Sequence, residues 1–154
     1  MFHEVSTYAP DEVFLTFGGA VVEGWDSITV QRTSPEFKTV KGIDGKNTRV
    51  YDPNTHAVIN IVCKQTSLTN QILSSVVLLD SNTHGVRLEV MLLDSSGWEV
   101  FSSQEAYVQR TPDRDYKASM GTRSWTIECL NSSWNDSKGN LSADNIFTRV
   151  MDLF

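Results

Sequence analysis

Three histidines, two cysteines and nineteen carboxylates are the groups in this chain that could hold a metal, attack a carbonyl or move a proton. A zinc or redox centre needs cysteine and histidine in clusters. Here His3, His56 and His84 are scattered, and neither Cys63 nor Cys129 has a histidine or a second cysteine within ligand spacing. No metal and no cofactor is therefore expected. Both cysteines end apolar, alternating stretches (Ile59-Asn60-Ile61-Val62-Cys63 and Trp125-Thr126-Ile127-Glu128-Cys129), the pattern of small buried hydrophobes rather than of a disulfide. His84 stands before Gly85 at the end of an expected helix, where capping explains it. The chain has no glycine-rich phosphate loop, no GxSxG elbow and no HExxH. Carboxylates from distant strands could be brought together as in a glycosidase, but nothing in the sequence selects such a pair. No enzymatic activity is expected.

The 154 residues make about one domain, with 40% hydrophobic and 21% charged residues, which is a globular composition. A net charge of -6 is the wrong sign for a protein that neutralises phosphates. The longest apolar run, Val76-Val77-Leu78-Leu79, falls far short of the ~20 residues that cross a bilayer. The opening residues Met1-Phe2-His3-Glu4-Val5 lack a basic region followed by an apolar one, so a soluble chain without a membrane anchor, made in the cytoplasm, is expected.

Any site must be positioned by strands, because the dominant period is two. Val13-Phe14-Leu15-Thr16-Phe17 is a short run stopped by Gly18-Gly19. In Ser27-Ile28-Thr29-Val30-Gln31-Arg32, Ile28 and Val30 share one face while Thr29 and Gln31 share the other. Phe37-Lys38-Thr39-Val40 and Thr48-Arg49-Val50-Tyr51 flank Asp44-Gly45, a hairpin signal in which both turn residues tolerate positive φ. The β-branched segment 57–64 reads as a central strand. One helix is predicted from Ser67 to about Asp80, with Thr66 or Ser67 as its N-cap and Gly85 closing its exit; Leu68, Ile72, Val76 and Leu79 form its apolar stripe, with Leu73 beside it. Residues 86–92 alternate, Asp94-Ser95-Ser96-Gly97 turns the chain into a long arm over 98–110, and Thr111-Pro112-Asp113 breaks it. The last clean strand, 123–129, turns Trp125, Ile127 and Cys129 inward and Ser124, Thr126 and Glu128 outward. The expected fold is mainly β: an antiparallel β-sandwich or small barrel with one flanking α-helix.

Composition divides the chain at residue 130. Residues 131–140 are rich in Ser, Asn and Asp, a polar linker, so 1–130 forms the β domain and 131–154 a linker with a short docking helix. That helix carries Ile146, Phe147, Val150, Met151, Leu153 and Phe154; it is too short to stand alone in water and must dock on its own domain or on a neighbouring subunit.

The run Gly24-Trp25-Asp26-Ser27-Ile28-Thr29-Val30-Gln31-Arg32, followed by Phe37-Lys38-Thr39-Val40-Lys41-Gly42-Ile43-Asp44-Gly45 and Thr48-Arg49, resembles the N-terminal half of the bacteriophage tail tube family, in which an ITVxR strand precedes F…VxGxDGxxTR. Gln65-Thr66-Ser67 and Gly121-Thr122-Arg123-Ser124-Trp125-Thr126 match the same pattern, so the resemblance spans about residues 13–131. It implies a structural protein of a long-tailed, contractile-tailed phage, with a β-sandwich fold shared with type VI secretion tubes. It further implies homohexameric rings stacked into a tube that conducts DNA in transient, non-specific passage. Sheath, tape-measure and baseplate proteins are the implied partners, and the virion tail is the implied location. The hairpin, with Phe37, Val40, Ile43, Asp44, Gly45, Lys46, Arg49 and Tyr51, is then expected to carry ring-to-ring stacking. Thr29, Gln31, Thr126 and Glu128 are candidates for a polar, acidic lumen that would repel phosphate, and Ile146, Phe147, Val150 and Phe154 for an assembly contact. The rival readings are a carbohydrate-binding, adhesion or decoration sandwich using some of the four tryptophans as a stacking platform, and, more remotely, a hydrolase with paired carboxylates.

Overall fold

Alternating side chains leave a strand one face to bury, and the strands of this chain bury theirs on a shared interior. The computed structural model describes residues 7–95 and 99–135. Its strands are β1 (Val13–Phe17), β2 (Ala20–Val21), β3 (Trp25–Arg32), β4 (Phe37–Lys41), β5 (Asn47–Tyr51), β6 (Ala57–Lys64), β7 (Leu88–Asp94), β8 (Glu99–Arg110) and β9 (Thr122–Asn135), with the helix α1 at Leu68–Thr83. Seven strands form one antiparallel sheet in the order β2-β1-β7-β8-β9-β6-β3, while β4 and β5 pair only with each other. Register shifts within β3–β6, β7–β8 and β8–β9 bend the strands, and the sheet curls into a half-barrel. Among the described residues the fold is mainly β with a single flanking α-helix, as the periodicity predicts.

The core lies inside the curl: Leu15, Phe17, Ile59, Ile61, Val90, Phe101, Val108, Trp125, Ile127 and both cysteines are buried. Each such large side chain is worth roughly 1.5–3 kcal/mol over its exposed state. The helix closes one part of the mouth. Ser67 accepts the Thr69 N–H at 3.2 Å as N-cap, and His84, itself left-handed at φ 59°, is the C-cap in place of Gly85. The buried helix face is Thr69, Leu73, Val76 and Val77, which recur at the i, i+4, i+7, i+8 spacing. The predicted stripe is thus rotated: Leu68 and Leu79 face solvent because the first turn is fixed by Thr69, whose hydroxyl accepts from Glu23 N at 2.9 Å and donates to its carbonyl at 2.8 Å.

β6 is an interior strand paired with β9 on one side and β3 on the other, as its composition predicts. One further expectation is corrected. β9 runs five residues past the compositional boundary at 130, because Ser132 and Ser133 continue the ladder to Ser103 and Ser102 and Trp134 pairs with Phe101. Asn131 accommodates the extension at φ 51°, and Ser132 is buried and hydrogen-bonded to the Thr55 carbonyl.

Candidate functional site: a projecting hairpin, a polar sheet face and an open groove

The two five-residue strands of the β4–β5 hairpin bury nothing among the described residues. Every residue in both strands is exposed, including Phe37, Val40, Val50 and Tyr51, and Ile43 at the tip is fully so. Phe37 pairs with Tyr51 across the ladder, ring centroids 5.4 Å apart, and the Arg49 guanidinium lies 4.5 Å from the Phe37 ring centre. The turn is wider than a two-residue Asp-Gly hairpin. It takes in residues 42–46, with Gly45 N–H donating to the Gly42 carbonyl at 3.0 Å and Gly42 N–H to the Lys46 carbonyl at 2.8 Å. Only Gly45 takes positive φ (84°); Asp44 instead uses its carboxylate to accept the Lys46 N–H at 3.1 Å. The tip carries Lys46 beside Asp44, and the strands carry Lys38, Lys41 and Arg49, so the arm is basic on an acidic chain.

Its base is fixed. Arg32 donates to the carbonyls of Ser34 (2.9 Å) and Asp52 (3.1 Å) and pairs with Glu36 at 3.0 Å. The Asn54 N–H and then the Ser34 hydroxyl beside Asp52 hold its carboxyl below the ordinary range. A bare two-stranded hairpin is marginal in water, and this one carries its apolar side chains exposed on an anchored arm.

Thr29, Gln31, Thr126 and Glu128 share one face of the large sheet, opposite Ile28, Val30, Trp125 and Ile127. They fall in two adjacent cross-strand rows: Thr29, Asn60, Thr126 and Arg110, then Gln31, Val58, Glu128 and Tyr107. Thr126 donates to the Asn60 side chain at 3.1 Å. Glu128, the carboxylate among the four candidates, is hydrogen-bonded to His56. The face is polar and near neutral.

A groove of about 500 Å³ opens where the helix leaves the half-barrel uncovered, lined by Trp25, Ile28, Val30, Leu92, Phe101 and Trp134 among others, with Asp26 and Glu99 also in its wall. Phe101 and Trp134 meet edge to face at 4.8 Å. Sequence order hides this grouping, because Trp25 and Trp134 come from strands that are far apart in the chain. Trp125 is buried, with its indole N–H donating to Asn70 at 2.9 Å. The free thiols are inert by position: burial pushes Cys63 up to about 11 and Cys129 up to about 12. Among the described residues no group of three His, Cys, Asp or Glu could hold a metal ion. His3, Trp98 and the expected C-terminal contact residues Ile146, Phe147, Val150 and Phe154 lie outside the described residues.

Three of the motifs that carry the family resemblance, at Gly24, Gln65-Thr66-Ser67 and Gly121, meet at the helix entrance. Gly24 (φ 67°) sits so close to Ser67 that a Cβ there would lie 2.7 Å from its Oγ, and its carbonyl accepts the Lys64 N–H at 3.0 Å. Gln65 and Gly121 hydrogen-bond each other twice, backbone N–H to carbonyl and backbone N–H to side chain, both at 3.1 Å. The motif residues here build a corner of the fold, not a reaction centre.

The curled sheet, single helix and free hairpin define the fold of tail-tube-like subunits. The anti-feeding prophage cap, a tube-terminating cap, superposes with a TM-score of 0.58 at 11% identity, covering 89% of this chain and 96% of the cap. The sheath/tube terminator of an extracellular contractile injection system gives 0.56 at 10% identity (84% and 96%), and a chain of the sheath–tube complex of such a system 0.57 at 7% (85% and 93%). No family profile matches the chain. Structural protein ORF10 of Pseudomonas phage KPP10 is 30% identical over 145 residues, covering 87% of this chain and 84% of that protein. The chain belongs to the same family of phage structural proteins as ORF10.

Proposed function

We propose that the chain is a ring-forming subunit of the tail tube, that rings of six copies stack through the β4–β5 hairpin, and that the polar face of β3, β6 and β9 lines the lumen through which DNA passes. The observation that carries this reading is the hairpin: anchored at its base by Arg32, exposed along both strands and tipped by Ile43, its strands bury no side chain against the other described residues. A lumen lined mainly by Thr29, Gln31, Asn60 and Thr126, with Arg110 of the same row paired to Asp113 at 3.2 Å, offers DNA few free cations to grip, so phosphates slide past with little counterion release. A sheath around the tube, a tape-measure protein inside it and a baseplate beneath it are the partners such a subunit requires, and the virion tail is its place. Catalysis has no part in it.

Deleting residues 43–46 tests the stacking role. Electron microscopy of the full chain at high concentration is expected to show tubes, and the deletion variant single rings or dispersed folded subunits. Tubes of normal length from the variant would refute hairpin stacking. Full-length chains that cap tubes without elongating them would place the subunit at the tube end.

A further inference from the structure

We infer that a second pocket, between α1 and the loop 111–121, is a socket for a carboxylate side chain presented by another protein subunit. The charge behind it is Arg123. On β9 this residue shares the core-facing side with Trp125, Ile127 and Cys129, and it is only 7% exposed. Its guanidinium donates to the carbonyls of Thr122 at 2.9 Å and Asp115 at 3.5 Å, and lies 5.4 Å from the Tyr116 ring centre. Among the described residues no carboxylate pairs with it. A buried cation is costly without a counter-ion, and here the fold supplies none.

The loop sorts its charges to two sides. Asp113 and Asp115 line a cleft beside Thr122, Ser124 and Thr126, and are paired with Arg110 at 3.2 Å and Lys117 at 3.3 Å. Arg114 and Tyr116, which alternate with them, line the pocket together with Arg123, Trp125, Gln71 and Ser74. Arg114 has no ion pair among the described residues, and no aspartate or glutamate lines the pocket. Two guanidiniums therefore meet with no acid between them, on a chain whose net charge is -6. Arginine forks bind carboxylates through paired, charge-assisted hydrogen bonds.

The shape narrows the ligand further. At about 320 Å³ the pocket is far larger than a single water or halide requires. Pro112, Tyr116 and Trp125 give it an apolar wall, which suits the methylene stem of a glutamate and which a phosphate would leave unused. With 19 carboxylates against 13 lysines and arginines, a neighbouring copy of this acidic chain has such groups in excess. The socket uses neither the hairpin nor the polar sheet face, so it stands or falls apart from their proposed roles.

The test is a titration of the dispersed full-length chain, followed by NMR at the Arg123 Nε–H and the Trp125 indole N–H. The probe is glutamate capped as its N-acetyl N-methylamide, and glutamine capped in the same way is the neutral control. Capped glutamate is expected to shift both signals saturably, with a Kd of the order of millimolar. Capped glutamine, and sodium chloride at equal ionic strength, are expected to shift neither. Arg114 is exposed, so Arg114→Gln leaves the fold intact and is expected to weaken binding about tenfold. The absence of a saturable shift, or an Arg114→Gln protein that binds as well as the parent, overturns the inference. Inorganic phosphate or glutarate saturating the same signals at about a tenth of the concentration overturns it too, since the pocket would then serve a small free anion.

Discussion

Asn70 decides whether the largest buried side chain is satisfied. Trp125 is almost wholly enclosed, and its indole N–H has Asn70 Oδ1 as acceptor at 2.9 Å, while the Asn70 amide donates to the Lys64 and Gln65 carbonyls. The residue thus ties the core tryptophan to the end of β6 and the start of α1. Asn70→Ala is expected to lower the free energy of unfolding by about 1–3 kcal/mol, the cost of stranding a buried donor. In a Trp125→Phe background, which has no donor to strand, the same substitution is expected to cost clearly less; urea unfolding of the four proteins measures the difference. Equal costs in both backgrounds would mean that the indole bond contributes nothing. The inward side of Trp125, Ile127 and Cys129 was legible in the alternation of their neighbours. The partner of Trp125 was not, because a hydrogen bond between residues 55 positions apart leaves no local pattern.

At the scale of elements, the strands and the single helix were legible, and their errors share one cause. Helix stripe, hairpin turn and β9 boundary each went astray where a specific hydrogen bond overrides a generic propensity: Thr69 to Glu23 turns the helix, Asp44 to Lys46 widens the turn, and Ser132 to Thr55 keeps a Ser/Asn-rich stretch in the sheet. The entry to α1 is the element most tightly specified. Gly24 combines positive φ with a contact that a methyl group cannot survive, whereas Gly45 has positive φ (84°) and open space around it. Gly24→Ala is therefore expected to destabilise the fold by more than Gly45→Ala, which bears only the ~1–2 kcal/mol of left-handed strain. Thermal melts of the two variants, read side by side, check the order. A Gly24→Ala protein that melts no lower than Gly45→Ala would show that the corner relaxes at little cost.

For the whole molecule, the sheet has two ends, and they are unequal. Among the described residues, β2 is two residues long and a poor template, but β3 spans Trp25–Arg32 and is paired on one side only, with β6. A free edge of that length is a liability in a lone subunit, and closing it against a neighbour's sheet removes it, as a barrel built from several copies would. The order of the seven strands was hidden from the sequence, because each pairing of β3, β6 and β9 is set by contacts made only once the sheet has formed. What the alternation did encode is that Thr29, Gln31, Thr126 and Glu128 share one face. If that face lines a lumen, assembly must shield it from large reagents while leaving it wet. In assembled tubes carrying Gln31→Cys, a small maleimide is expected to label the new thiol, and a maleimide coupled to a bulky polymer to label it only near tube ends. Dispersed subunits are expected to react with both, since Gln31 is exposed in the isolated chain. Full labelling of intact tubes by the bulky reagent would put Gln31 and its row on the outside, leaving the opposite end of the curled sheet to face the DNA.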